Sequence, residues 1–154
     1  MTRIKEIQKC VHGILEEMPD KDKRYNAAAH LHGVSLAAVM IARKRGENDE
    51  LAAIAGLMHD LHAYRSGSYT DHAHLGADLA RQLLQELGVT TEEENDIICS
   101  AIWHHDDKGV IDGAMDEVLK DADVIHHTLA DPLKPVKPHE QERYEKLCSE
   151  FGMK

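Results

Sequence analysis

Apolar residues recur along this chain at three- and four-residue spacings, and no stretch alternates apolar with polar over the length of a strand. That periodicity confines the fold to packed helices. The pattern over residues 4–18 is amphipathic and stops before Pro19, and Asp20 to Lys23 is a charged turn. A second helix is predicted over 24–45, with Gly46 as its stop. Its centre, Val34 to Ala42, is apolar on most sides, the mark of a helix buried on several faces. The third starts at Asn48 or Asp49 and carries the stripe Leu51, Ile54, Ala55, Met58 and Leu61.

Ser66 to Asp71 is a loop. A fourth helix follows with Leu75, Leu79, Leu83 and Leu87 on one side and Gly88 at its end. Thr91 and Glu94 form a capping box for the fifth, which carries Ile97, Ile98, Ala101 and Ile102. Turn residues at 108–113 precede the sixth, with Met115, Val118, Leu119, Ala122, Ile125 and Leu129. Pro132, Pro135 and Pro138 impose an extended stretch before a short polar helix over 139–150. The expected architecture is all-α: a single helical bundle of about six to seven helices over residues 1–154. Its core is expected at about 24–130, with 131–154 a proline-containing extension.

With aromatics at 4%, the core must be built from Leu, Ile, Val, Ala and Met. Cys10, Cys99 and Cys148 are odd in number and scattered, so they offer neither a disulfide framework nor a C-x-x-C zinc signature. Reduced thiols and a polar amphipathic beginning lead to the expectation of a cytoplasmic protein. No apolar run is long enough for a membrane span, so no membrane role is expected. A net charge of −10 disfavours a broad nucleic-acid footprint, and nucleic acid is not an expected partner. The charge leaves room for a small anionic substrate, because bound divalent cations reverse the local sign.

His59 and Asp60 end the most apolar helix, and burying such groups without a partner is costly. His30 lies on the face of Val34, Ala37, Ala38 and Ile41, and Asp123 lies one step off the stripe of the sixth helix. His32, on another face, is an alternative to His30 by periodicity alone. Taken singly, each reads as an ordinary core or surface residue. Jointly they are two imidazoles and two carboxylates on three helices, a donor set suited to Fe, Mn, Zn, Co or Ni. His74, His104 and His105 add ligand types from two further helices. With Asp60 bridging, one or two ions fit this set. A two-metal site of that kind clamps the attacking and leaving oxygens of phosphoryl transfer.

The order His30, His59-Asp60, Asp123 resembles that of the HD-domain metal-dependent phosphohydrolases. His30-Leu-His-Gly-Val34 is similar to the family's first-histidine helix, a register that selects His30 over His32. Ala53-Ile-Ala-Gly-Leu-Met-His-Asp60 is similar to its signature helix, and Lys120-Asp-Ala-Asp-Val124 to the segment giving its last aspartate. His74-Leu-Gly-Ala77 and Ile102-Trp-His-His105 resemble the extra histidines of two-metal members. The likeness covers about residues 24–130 and implies a helical bundle.

After His105 stands Asp106-Asp107-Lys108-Gly109, so the Gly-Tyr-Pro motif of the cyclic-di-GMP phosphodiesterase branch is absent. The small-protein branch that cleaves diadenosine tetraphosphate is closer in size and ligand order. The resemblance implies hydrolysis of a nucleotide or other small phosphate ester by a metal-bound water, with Asp60 orienting it. Lys108 and Arg24 are candidates for contacting phosphate, and His126 or His127 for supporting the Asp123 end of the site. A nearly identical residue set is used by some HD-type di-iron oxygenases, the alternative reading, and the set would also serve a metal-binding regulatory domain without turnover. Substrate and oligomeric state are not legible at this level.

Overall fold

A computed structural model describes all residues 1–154 and consists of helices and connecting loops. The eight α-helices are α1 (Arg3–Glu16), α2 (Lys21–Arg45), α3 (Asp49–Met58), α4 (Leu61–Ser66), α5 (His72–Leu87), α6 (Glu92–His104), α7 (Ala114–Leu129) and α8 (Gln141–Phe151). A 3₁₀ turn, Pro138–Glu140, leads into α8. The all-α architecture agrees with the periodicity, and the count exceeds six or seven because a short helix, α4, follows the His59-Asp60 pair where the third helix is expected to end.

Local chemistry explains most boundaries. Asp20 caps α2, its Oδ1 accepting the N–H groups of Asp22 and Lys23 at 3.0 Å each. The expected charged turn at 21–23 is therefore the first turn of α2. Gly46 ends that helix at φ 74°, a left-handed conformation that glycine adopts without a Cβ penalty. Asn48 caps α3 by accepting from Leu51 N–H at 3.0 Å. Thr91 and Glu94 form the reciprocal capping box at α6.

Helix α3 is the axis of the bundle: every residue from Leu51 to Met58 is buried, and α1, α2, α6 and α7 pack around it. It approaches α2 so closely at Gly56 that a Cβ there would lie 2.6 Å from Ser35 Cα. The core is one cluster of 32 buried side chains, each large aliphatic member contributing about 2 kcal/mol of burial. In α5 the buried residues are His72, Ala73, Gly76, Ala77, Leu79, Ala80, Leu83 and Leu84, whereas Leu75 is exposed. Of the expected stripe, Leu79 and Leu83 are in the core and Leu87 packs against it, so the buried face keeps most of the leucines and extends to the small residues, where α6 packs close.

The C-terminal segment closes against α7 and the 105–113 loop. Leu147 enters the core. Arg143 holds Asp121 at 3.0 Å, Glu117 at 3.1 Å and the Lys108 carbonyl at 3.0 Å. Lys120, fully buried, donates to the Val110 carbonyl at 2.7 Å and to Asp112 at 2.6 Å. These cations fix a loop with no regular structure of its own and, through it, the position of Lys108. No helix is long and apolar enough to cross a membrane.

Candidate metal centre

The break between α3 and α4 sets the site. His59 is the last residue of the α3 turn, and Asp60 sits at φ −106°, ψ 7°, in the sparsely populated bridge region. Asp60 points its two carboxylate oxygens at two different groups. Oδ2 lies 3.3 Å from His30 Nε2 and 3.4 Å from His59 Nε2. Oδ1 lies 3.2 Å from His105 Nε2 and 3.4 Å from His72 Nε2. Asp123, from α7, completes the first group: its Oδ1 is 3.2 Å from His30 Nε2 and 3.4 Å from His59 Nε2. The structure therefore assembles His30, His59, Asp60 and Asp123 in one place, with His72 and His105 adjoining them through Asp60.

Three of the imidazoles are oriented by their own backbone. The Nδ1–H groups of His59, His72 and His105 donate to the carbonyls of Gly56, Tyr69 and Ile102 at 2.8, 3.0 and 2.6 Å. Each ring thereby turns Nε2 toward the cluster, the arrangement that fixes tautomer and orientation in metal-ligating histidines. His30 Nδ1 instead meets His126 Nδ1 at 2.8 Å. Gly33 makes room for that ring, since a Cβ there would collide with the His126 side chain.

Electrostatics test whether a divalent ion suits these donors. Burial pushes the His105 imidazole below its ordinary pKa. Its Nε2 lies 3.2 Å from Asp60 Oδ1, and a proton on that nitrogen or a cation between the two makes the contact favourable. Asp123 Oδ1 is buried without a hydrogen-bond partner. Asp60 and Asp123 are both held well below the usual carboxylate range. Burial would raise them, but the His59 charge and the His105, His30 and His59 contacts outweigh it at Asp60. At Asp123 the Lys108 charge and the contacts of His30 and His59 do the same. Burial would lower His59, yet the Asp60 charge and contacts with Asp123 and Asp60 raise it to about 10. The site demands positive charge, as borderline imidazole and hard carboxylate ligands do around a divalent ion.

Other expected residues lie elsewhere. His74 is exposed, with Nδ1 2.9 Å from Asp71 and its ring stacked on Trp103 at 3.9 Å. His72 occupies the place expected of His74, because Gly76 and the small residues after it mark the inward face of α5. His104 turns away toward Asp116, 3.3 Å distant, leaving His105 alone of that pair in the cluster. Arg24 donates to the Met18 carbonyl at 2.9 Å and so anchors the end of α1. Lys108 is buried, its ammonium 2.8 Å from Asp123 Oδ2 and 2.7 Å from the His105 carbonyl, so it positions Asp123.

A cavity of about 630 Å³ opens onto the cluster. Lys23 and Lys137 stand on its wall with Asn26, and Met18, Tyr64 and Tyr69 supply apolar surface. Burial, then the charge of Asp60, raises the pKa of both tyrosines, which keeps their hydroxyls protonated as donors. The sequence patterns pointed to neither lysine, because single surface cations carry no periodic signal. His127, at the same wall, places Nε2 3.4 Å from Asp123 Oδ1.

Comparison with known families gives one match, the HD domain, over residues 27–151. No curated protein and no solved structure matches the chain.

Proposed function

Because the chain belongs to the HD-domain family, whose members are generally metal-dependent phosphohydrolases that bind divalent metals, we propose that it hydrolyses a nucleotide or similar small phosphate ester. The observation that carries this reading is the split Asp60 carboxylate, one oxygen facing His30 and His59 and the other facing His72 and His105. That geometry suits two cations sharing one carboxylate. Divalent ions held there would polarise a phosphoryl group and lower the pKa of a coordinated water.

The protein's own residues supply the rest. His30, His59, Asp60 and Asp123 form one donor group; Asp60, His72 and His105 form the other. Lys108 neutralises Asp123 from behind and keeps it from swinging out of the cluster. Lys23 and Lys137 line the cavity where a phosphate would project and would offset its charge. The Tyr64 and Tyr69 hydroxyls would donate to phosphoryl oxygens, and their rings with Met18 would hold an organic portion against an apolar wall.

The test is release of inorganic phosphate or of a nucleoside monophosphate from a panel of mononucleotides, dinucleoside polyphosphates and simple phosphate esters. Metal-loaded protein should turn over at least one class, and Asp60→Ala should abolish it. Turnover unchanged in Asp60→Ala would sink the assignment. The set of four imidazoles and two carboxylates also favours a second reading, a di-iron oxygenase. Dioxygen consumption dependent on iron separates the two, since hydrolysis proceeds without oxygen.

A further inference from the structure

Beside the six residues that define the proposed centre stands a histidine that the hydrolytic reading leaves without a role. His127 lies one helical turn after Asp123 on α7, so both side chains leave the same face. Its Nε2 is 3.4 Å from Asp123 Oδ1, the buried oxygen that has no hydrogen-bond partner and that His30 and His59 also approach. The His127 and His30 rings are stacked nearly parallel, 9° apart with centroids separated by 5.2 Å, and each brings its Nε2 to Asp123 Oδ1. The ligand atoms of His30, Asp123 and His127 all lie within 4.8 Å of one another.

The other ring nitrogen is held from an unexpected quarter. Glu140, in the 3₁₀ turn before α8, is 1% exposed, and its Oε1 sits 2.9 Å from His127 Nδ1. Its Oε2 is buried with no partner at all. Removing a carboxylate from water at that depth is costly and calls for a compensating role. A carboxylate accepts only, so His127 Nδ1 carries a hydrogen, which leaves Nε2, beside Asp123, as the nitrogen that can bind a cation. Carboxylate, imidazole and ligand position in series form the arrangement that orients a metal-binding histidine and raises its basicity.

We infer that His127, oriented by Glu140, is a further ligand of the ion held by His30, His59, Asp60 and Asp123. The inference rests on the metal-centre reading above, though not on what the centre cleaves. It makes the segment 131–140 part of the metal site: the stretch that brings Lys137 to the cavity also supplies the buried carboxylate behind a ligand.

Equilibrium dialysis of the chelator-treated full chain against Mn(II) or Co(II), followed by elemental analysis, tests this. His127→Gln and Glu140→Gln should each weaken binding of one ion tenfold or more, the range expected when a supporting carboxylate is lost. The double variant should bind no more weakly than His127→Gln alone, because Glu140 acts through that ring. In the Co(II) protein, the visible absorption band should shift in His127→Gln. Affinity, stoichiometry and spectrum all unchanged in His127→Gln would overturn the inference, as would wild-type protein that binds no ion. So would a Glu140→Gln loss of equal size with and without His127, which marks a purely structural carboxylate. Circular dichroism of each ion-free variant confirms folding. A wild-type protein that binds ions but cleaves no phosphate ester refutes the hydrolytic reading and leaves this one standing.

Discussion

Replacing Gly56 by Ala puts the geometry of the metal centre to a mechanical test. Gly56 lies one turn before His59, and its carbonyl accepts the His59 Nδ1–H at 2.8 Å. A Cβ at this position would stand 2.6 Å from Ser35 Cα, 2.7 Å from Ser35 N and 3.1 Å from the Val34 carbonyl carbon. All three are backbone atoms and cannot rotate aside, so α2 and α3 must separate by most of an ångström. Overpacking of this kind costs about 3 kcal/mol where nothing can yield. Alanine's better helix propensity returns about 1 kcal/mol. The net loss of about 2 kcal/mol corresponds to a fall of about 4–8 °C in the melting temperature of a chain this size.

His30 rides on α2 and His59 follows α3, with their Nε2 atoms 3.0 Å apart, so the same displacement should weaken ion binding. The assay is thermal unfolding by calorimetry in the presence of chelator, with metal affinity measured separately. Gly13→Ala on α1 is the control: nothing lies within 4 Å of the added methyl, and it should stabilise by about 1 kcal/mol. A Gly56→Ala protein at least as stable as wild type, with unaltered ion affinity, would refute the close α2–α3 packing that this reasoning requires.

Further outcomes follow from buried charges and thiols. Lys108→Met strands the Asp123 carboxylate beside His30 and should cost about 3 kcal/mol in the ion-free protein, read as a lower denaturant midpoint. Burial raises the Cys99 thiol to about 11, so a thiol reagent at pH 8 should label it only as the protein unfolds, whereas half-buried Cys10 and Cys148 react sooner. His59 raised to about 10, against an ordinary 6.5, contributes stability that is complete below pH 6.5 and is lost as pH climbs through 10. The ion-free protein should therefore weaken over that interval. Ion binding near pH 7 should release protons, measurable by titration calorimetry in buffers of different ionisation enthalpy.

How much of this was legible in the sequence depended on whether a residue's face could be read from its neighbours. His30, His59 and Asp123 lie on or beside dense apolar stripes, and the helices carrying those stripes bring them together. α5 misled at its start, where Leu75 extends the leucine stripe but is exposed, while Ala73, Gly76, Ala77 and Ala80 widen the inward face on the other side of Leu79 and Leu83. Close helix packing selects small residues there, so His72, four residues before Gly76, enters the cluster and His74 does not. The His104-His105 pair fell at a helix end, where the 3.6-residue period stops and cannot choose between neighbours. Asp20 is a good cap by residue type, yet the charged residues after it look like a turn until its hydrogen bonds are seen. Lys108 and Glu140 were not readable as a ligand's supports. Their partners, Asp123 and His127, are 15 and 13 residues away, contacts that only tertiary folding creates.

The central claim is that one carboxylate, Asp60, is shared between two cation-binding groups. Elemental analysis of purified protein after saturation with Mn(II) and removal of free metal tests it most directly. The account predicts two ions per chain in the wild type and fewer than one in Asp60→Ala, with Asp60→Ala still folded by circular dichroism. No bound metal in the wild type, or two ions retained in Asp60→Ala, would contradict it.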